Sequence, residues 1–204
     1  MNLLFDIDHT LIDTNKLRQL ISAELIKALN IQRQEFEEAE IKYTKRLNYK
    51  NDFNPQDYLT VLSIELEAEF RVLSSIFFEK ESLYRRSLYH ETSKVIELLS
   101  KSFRLGIFSE GFTSFQSLKL SNSGINRYFD KGLKYIFRRK LSPESISKLS
   151  KPVVVIDDSR EVVEALCSEK EIVPVWLNRK DDTNHSYIKT IHDLKFLISD
   201  STPL

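Results

Sequence analysis

The pattern of apolar and polar positions divides the chain into three parts. Leu3 to Phe5 is a short apolar run, typical of a strand that is buried on both faces. From Thr14 to about Leu88, apolar residues recur at helical spacing and no strand pattern occurs, so this interval is predicted to be helical throughout. From Thr92 onward, short apolar runs alternate with helical patterns.

Local signals mark the starts of helices in the middle interval. Asp13 or Thr14 can cap the first helix, because a side-chain oxygen at that position accepts a hydrogen bond from the first turn. Asn54 followed by Pro55 predicts the cap and the first residue of a later helix. Phenylalanines between Phe70 and Phe78 fall at near-helical spacing and are predicted to form the core of this region.

Four more strands are predicted after the helical interval: Arg104–Phe108, Leu133–Phe137, Val153–Ile156 and Ile172–Leu177. Pro174 in the last of them indicates a sheet edge, because proline cannot donate a hydrogen bond to a ladder. Asn178–Ser186 is predicted to be a loop and Ile191–Ile198 a closing helix.

Strands that alternate with helices predict right-handed crossovers and an open parallel sheet covered on both faces. The predicted fold is therefore α/β, with a doubly wound, Rossmann-like core and an inserted all-helical cap. We expect residues 1–13 and 89–204 to form the core and residues 14–88 to form the cap.

Composition limits the classes of function. The 204 residues suit one domain with an insertion, and 30 basic residues balance 30 acidic ones, so no overall charge would recruit nucleic acid or an anionic membrane. Cys167 is the single cysteine, which excludes an internal disulfide and a zinc site made of several thiolates. The apolar runs are shorter than a signal peptide or a membrane span requires, so a soluble, cytoplasmic protein is expected.

Two acids follow the first strand. Asp6 and Asp8 are two positions apart, so in extended chain their side chains point to the same side and repel each other. Asp8 or Thr10 could simply cap the loop by accepting bonds from nearby backbone N–H groups. The alternative is a metal-assisted nucleophilic site, in which a cation offsets the repulsion.

Three predicted strands end in polar residues. Asp6 and Asp8 follow the first strand, Ser109 follows the second, and Asp157 with Asp158 follows a later one. Because the carboxyl ends of parallel strands face one crevice, we expect these side chains to meet there.

Four segments resemble the motifs of the haloacid dehalogenase-like (HAD) hydrolase superfamily. Phe5-Asp6-Ile7-Asp8-His9-Thr10-Leu11 is similar to the first motif, an aspartate-x-aspartate-x-threonine sequence after a strand. Ile107–Gly111, Lys140 before Ser142-Pro143, and Val154–Ser159 resemble the second, third and fourth. Gln116–Leu120 with Gly124-Ile125 resembles the link between the second and third.

The resemblance implies a catalytic role for each motif. Asp6 would be the nucleophile, and Asp8 would act as general acid and then as general base. Ser109, Glu110 and Lys140 would bind the phosphoryl group of the substrate. Mg²⁺ would be the cofactor, with its ligands among Asp6, Asp8 (through the backbone carbonyl), Asp157 and Asp158.

Asp8 also bears on the type of reaction. Dehalogenases of this superfamily generally have a non-acidic residue at that place, so Asp8 favours phosphoryl transfer. The implied activity is a magnesium-dependent phosphatase acting on a small phosphorylated metabolite through an aspartyl-phosphate. A phosphomutase and a non-catalytic regulatory protein with the same fold are the alternatives, and whether the protein is a monomer or a homodimer is left open.

Two positions depart from the superfamily pattern. His9 stands where glycine is common, and its ring either turns aside in the loop or contacts the substrate and tunes Asp8. The sequence Arg138-Arg139-Lys140 lacks the lysine-proline pair often found there, so Arg139 could share the phosphate-binding role. Thr10, His9 and Arg139 are thus further candidate site residues.

A basic run in the predicted cap allows two interpretations. Lys42, Lys45, Arg46 and Lys50 are interleaved with Tyr43 and Tyr49. The run is either a solvated helix face or a surface that meets an anionic or aromatic substrate.

Overall fold

The core is a six-stranded parallel sheet. The computed structural model describes residues 1–47 and 52–199, and within them the strand order is β3-β2-β1-β4-β5-β6. The strands are β1 (Asn2–Phe5), β2 (Arg104–Glu110), β3 (Phe129–Phe137), β4 (Val153–Asp157), β5 (Ile172–Leu177) and β6 (Lys189–Ile191). This order, with crossovers on both sides of β1, is the predicted doubly wound arrangement.

The first strand lies at the centre of the sheet. Leu4 pairs with Gly106 of β2 on one side and with Val155 of β4 on the other, and the side chains of Leu3, Leu4 and Phe5 are fully buried. A strand that is covered on both faces needs apolar residues at every position, which explains its unbroken apolar run.

Among the described residues, five helices cover the core sheet. They are α6 (Thr92–Leu99), α7 (Thr113–Asn122), α8 (Pro143–Ser147), α9 (Arg160–Leu166) and α10 (Phe196–Ser199), with a 3₁₀ turn at Asn126–Tyr128. Ser142 caps α8, which has proline at its first position, and Ser159 caps α9 by accepting from the Val162 N–H.

The insertion after β1 is helical, as predicted. It contains α1 (Thr14–Leu29), α2 (Arg33–Thr44), α3 (Pro55–Glu65), α4 (Phe70–Ser74), a π-helical turn (Ser75–Glu79) and α5 (Glu81–Ser87). Asp13 caps α1 and Asn54 caps α3, each through its side-chain oxygen. These two predicted helix starts are confirmed.

The cap is joined to the core where its two ends meet. The Asp13 N–H donates to the Ser87 carbonyl at 2.8 Å, and Ile12 forms an antiparallel bridge with Leu88. The chain therefore leaves the core and returns to it at adjacent points, next to the expected cap limits at residues 14 and 88.

The sheet differs from the prediction at its far edge. The predicted edge at β5 is wrong, because β6 pairs with Val175–Leu177 and extends the sheet. Pro174 lies one residue before that pairing begins, so its missing N–H leaves no gap in the β5–β6 ladder. The sequence Lys-Thr-Ile of β6 is too short to show a strand period. Its last residue, Ile191, falls in the predicted closing helix Ile191–Ile198, which in the structure is only Phe196–Ser199.

The third strand also begins earlier than expected, at Phe129 rather than Leu133. The register between β2 and β3 shifts between Leu105 and Ile107, so the first pair is separated from the rest of the ladder. Such an irregularity hides the strand's alternation from sequence reading.

The basic run of the cap is largely solvated. Lys42, Lys45 and Arg46 are exposed on and after α2, and Lys42 pairs with Glu65 within the cap. Tyr43 points the other way and is buried. Tyr49 and Lys50 lie outside the described residues. In the described part of the chain, no helix has the length and apolar character that crossing a membrane requires.

We expect Gly106→Ala to destabilise the fold. A Cβ at this position would lie 2.4 Å from the Leu133 carbonyl oxygen and 2.5 Å from a methyl carbon of Leu4, so the central strands would have to separate. The free energy of unfolding should fall by about 1–3 kcal/mol in urea titrations.

Gly132→Ala is the matched control, because Gly132 is an exposed position of β3 and its nearest contact is the Asp130 carboxylate at 3.3 Å. Equal unfolding midpoints for the two variants would contradict the close packing of β2 against β1 and β3.

Candidate active site

The strand ends bring the predicted side chains together at one edge of the sheet. Asp6 follows β1, and its backbone N–H donates to the Ile156 carbonyl of β4 at 3.0 Å, which fixes the loop after β1 against that strand. A cavity of about 910 Å³ opens between this edge and the cap. Of the predicted site residues, those that line it are Asp6, Asp8, His9, Glu110, Arg139, Lys140, Asp157 and Asp158.

Lys140 lies between two acids. Its Nζ donates to Asp6 Oδ1 at 2.9 Å and to Asp157 Oδ2 at 2.6 Å, and the side chain is almost fully buried. Burial opposes the charge of Lys140, but the two carboxylates outweigh it and raise the pKa of its ammonium above the ordinary value. The backbone N–H of Lys140 donates to the Glu110 carboxylate at 3.0 Å, which holds the lysine in place.

Asp6 is difficult to ionise in this setting. Burial raises the pKa of Asp6 to about 7; Lys140 opposes this rise, and the charges of Asp157 and Asp8 add to it. Burial and the nearby Asp6 also raise the pKa of Asp158 to about 6. The edge therefore holds more negative charge than Lys140 balances, which is the condition under which a divalent cation binds well.

The neighbouring acids Asp157 and Asp158 differ in their partners. Asp157 is fully buried and uses both oxygens, one for Lys140 and the other for the Ser159 N–H at 3.0 Å. Asp158 is partly exposed to the cavity, and its backbone carbonyl accepts from the Trp176 indole at 3.0 Å. The carboxylate oxygens of Asp158 are thus better placed to bind a ligand than those of Asp157.

Asp8 is held by three donors from other elements. Thr14 Oγ1 and Lys119 Nζ donate to Asp8 Oδ1, each at 2.6 Å, and Gln116 Nε2 donates to Oδ2 at 2.8 Å. Burial opposes ionisation of this carboxyl, but the charge of Lys119 and these hydrogen bonds prevail and lower the pKa of Asp8 to about 2. Asp8 is therefore an oriented carboxylate in the cavity and does not cap its own loop.

His9 has a left-handed backbone conformation, with φ of 58°. Its N–H donates to the Ile12 carbonyl at 2.8 Å and closes the tight turn after β1. Glycine adopts this conformation without strain, which explains why the resembling motif commonly has glycine there. The side chain of His9 lines the same cavity as Asp158.

Ser109 and Thr10 carry hydroxyls without protein partners. Both residues are buried, and neither Ser109 Oγ nor Thr10 Oγ1 has a hydrogen-bond partner among the described residues. The backbone carbonyl of Thr10 accepts from Arg179 at 3.0 Å. A buried hydroxyl without a partner costs free energy, so a ligand that bonded to Ser109 would remove that cost.

Arg138 and Arg139 connect the core to the cap. Their guanidinium groups donate to Asp52 Oδ1 of the cap at 2.6 and 2.9 Å, and the Arg138 guanidinium lies 3.7 Å from the ring centre of Phe112. Because Lys140 follows directly in the chain, this contact ties the cap to the segment that carries the buried lysine.

Sequence reading missed the residues that hold Asp8. Gln116 and Lys119 are three positions apart on α7, so they lie on the same helix face, and both are buried. Two long polar side chains on one face among Phe115, Leu118 and Leu120 were an available signal. Thr14 and Asp52 offered none, because a helix start and a loop acid are common in any surface segment.

The raised pKa of Asp6 predicts a pH dependence of stability. The pKa is about 7 in the folded protein against an ordinary 3.8, so the folded state binds more protons between these values. The stability due to protonated Asp6 is complete below about pH 4 and is lost as the pH rises through about 7. Relative to Asp6→Asn, the free energy of unfolding of the wild type should fall over this range.

Urea unfolding in the presence of a chelator, at several values between about pH 4 and pH 8, measures this difference. The exposed Asp182→Asn serves as a control that also removes one acid. A constant or rising difference between wild type and Asp6→Asn would refute the raised pKa.

Comparison with known proteins identifies the family. Residues 3–164 match the sequence profile described as haloacid dehalogenase-like hydrolase. No curated protein sequence gives a significant match.

Solved structures share the fold at low sequence identity. The HAD-hydrolase YfnB from Bacillus subtilis, bound to magnesium, is 19% identical with a TM-score of 0.62, over 96% of each chain. A HAD phosphatase from Thermococcus onnurineus is 22% identical with a TM-score of 0.58, over 96% of this chain and 95% of that one. A 2-haloacid dehalogenase from Pseudomonas syringae is 17% identical with a TM-score of 0.52, over 97% and 96%.

The family profile covers most of the chain, the solved structures share its fold, and the residues of the four motifs lie together at one edge of the sheet. This chain therefore belongs to the haloacid dehalogenase-like hydrolase family.

Proposed function

We propose that the protein is a magnesium-dependent phosphatase that hydrolyses a small phosphorylated metabolite through an aspartyl-phosphate on Asp6. The observation that carries this proposal is Asp8, an oriented carboxylate in the same cavity as Asp6. Loss of an alcohol from a phosphate ester requires a proton donor, whereas loss of halide does not. The HAD phosphatase and the magnesium-bound hydrolase among the similar structures agree with this choice.

The acids at the sheet edge fit a magnesium ion. Mg²⁺ prefers oxygen ligands and is commonly held by one or two carboxylates. We assign Asp6, the backbone carbonyl of Asp8 and Asp158 as its ligands, because both oxygens of Asp157 are used by Lys140 and Ser159. When bound, the ion would screen the charge of the nucleophile and of the phosphate.

The phosphoryl group would be held by donors around Asp6. Lys140 supplies a buried ammonium 2.9 Å from Asp6 Oδ1, and Ser109 supplies a buried hydroxyl with no partner in the described chain. Arg139 lines the cavity on the same side. The carboxylate of Glu110 can only accept hydrogen bonds when ionised, so we assign it to holding Lys140 rather than to the phosphate.

The reaction has two steps. In the first, an Asp6 oxygen bonds to phosphorus while the bond to the ester oxygen breaks, and Asp8 gives a proton to the leaving alcohol. In the second, Asp8 takes a proton from water, which attacks phosphorus and releases phosphate and Asp6. Asp8 is ionised beside Lys119, the form that the second step needs. For the first step Asp8 must first take up a proton from solvent, which requires its ion pair with Lys119 to weaken, as it would if the phosphate dianion attracts Lys119.

Asp6→Asn and Asp8→Asn should each lower the hydrolysis of p-nitrophenyl phosphate with Mg²⁺ by ~10³-fold or more, because each removes a group that acts on the reacting atoms. Release of p-nitrophenol measures the rate. Asp182→Asn is the control, and undiminished activity of Asp6→Asn would exclude Asp6 as the nucleophile.

Asp52→Asn should raise the KM by about two- to fivefold and change stability little, because the two arginines would lose the charge that holds the cap closed. Steady-state kinetics with p-nitrophenyl phosphate measures this effect. Glu65→Gln is the matched control, since the Lys42–Glu65 pair lies within the cap and does not reach the core. An equal change in KM for both variants would show that the Asp52 contact has no special role in closure.

A further inference from the structure

Aromatic side chains form one wall of the cavity that holds the acids. The wall consists of Tyr43, Phe53, Tyr58, Phe77 and Phe115, all of which line the cavity. The first four belong to the cap and Phe115 belongs to α7 of the core. This aromatic wall therefore continues across the cleft between the two parts.

Phe53 lies at the centre of the wall. Its ring centre is 5.6 Å from that of Tyr43, 5.2 Å from Tyr58, 6.4 Å from Phe77 and 5.6 Å from Phe115. These distances are typical of interacting aromatic rings. Tyr43, Tyr58 and Phe77 are buried, whereas Phe53 and Phe115 keep part of their surface exposed. Phe53 and Phe115 are thus the two residues of the wall that are not fully buried.

The wall begins beside the group assigned to the leaving alcohol. Lys119 Nζ lies 4.5 Å from the ring centre of Phe115 and 2.6 Å from Asp8 Oδ1. A phosphate ester attacked by Asp6 has its leaving oxygen near Asp8, so the rest of the leaving group extends toward Phe115 and Phe53.

The tyrosine hydroxyls of the wall are already used. Tyr43 OH accepts from the Asn54 N–H at 2.8 Å, and Tyr58 OH donates to Glu40 Oε1 at 2.7 Å. A sugar needs partners for many hydroxyls. A flat apolar ring needs none and gains from the contact geometry that aromatic pairs prefer.

We propose that the leaving group of the substrate carries an aromatic or heteroaromatic ring that packs against Phe53 and Phe115. This inference rests on the proposed phosphatase function and specifies its substrate class as ring-bearing phosphate monoesters. A cavity of about 910 Å³ accommodates such an ester together with its phosphate.

Two phosphonates of equal size test the inference by binding alone. Benzylphosphonate and cyclohexylmethylphosphonate have the same connectivity, but only the first has a flat ring. Calorimetric titration with Mg²⁺ should show benzylphosphonate binding about tenfold more tightly. Equal binding, or tighter binding of the cyclohexyl compound, would overturn the inference, because it would mean that the wall is only apolar and that its rings serve as the cap's own core.

Variants test whether Phe53 and Phe115 cause the preference for the flat ring. Phe53→Leu and Phe115→Leu keep apolar volume but remove the ring, so each should bring the ratio of the two affinities close to one. Tyr187→Leu changes an exposed aromatic residue outside the cavity and should leave the ratio as in the wild type. Because the ratio compares two ligands on one protein sample, a reduced folded fraction does not alter it. An unchanged ratio in both cavity variants would refute the assignment.

Turnover separates this inference from the proposed function. Release of phosphate from benzyl phosphate, cyclohexylmethyl phosphate and p-nitrophenyl phosphate is measured with the same protein. Absence of turnover of all three refutes the phosphatase assignment, and the phosphonate ratio still decides whether the cavity selects a ring. Turnover without preference for the benzyl ester upholds the phosphatase and refutes the ring-bearing substrate.

Discussion

The structure depends on one arrangement of charge: the ammonium of Lys140 held between the buried carboxylates of Asp6 and Asp157. Parallel strands direct their carboxyl ends to one edge, and here two neighbouring strands each bring acids to it. Without a cation among them, these acids would repel each other in a setting that water screens poorly. Lys140 carries one positive charge and the edge carries the carboxylates of Asp6, Asp157 and Asp158, so part of the negative charge is left over. The proposed magnesium ion would balance this remaining negative charge.

A second lysine at the same edge, Lys119, pairs with a different acid. Lys119 comes from α7 and pairs with Asp8, whereas Lys140 pairs with Asp6, so the two acids that follow β1 have separate cationic partners. This separation keeps the pKa values of Asp6 and Asp8 far apart, at about 7 and about 2. Asp6, the proposed nucleophile, is the harder of the two to ionise, so the proposed cation would be needed to ionise it, and Asp8 must gain a proton before it can act as a general acid.

Much of this arrangement could be predicted from the sequence, because it follows from local rules. An unbroken apolar run predicts a central strand such as β1, and Asp13 and Asn54 mark helix starts that the structure confirms. The acids could be placed together because parallel strands share an edge. The bonds of Gln116 and Lys119 to Asp8 and the contact of Asp52 with two arginines could not, since they join side chains over 80 residues apart on elements whose relative rotation no local pattern records. Strand β6 was missed because three residues show no period.

Thr14 connects the cap directly to the Asp8 carboxylate. It is the first residue of the cap's first helix, and its hydroxyl bonds to Asp8 at 2.6 Å. Asp13, immediately before it, is held by the returning end of the cap at Ser87. A swing of the cap about this junction would pull on the same short segment that orients Asp8, the carboxylate proposed to transfer protons. Opening and closing of the cap would then change the alignment of Asp8 as well as the access of water. Movement of the cap and orientation of the Asp8 carboxylate would therefore be coupled.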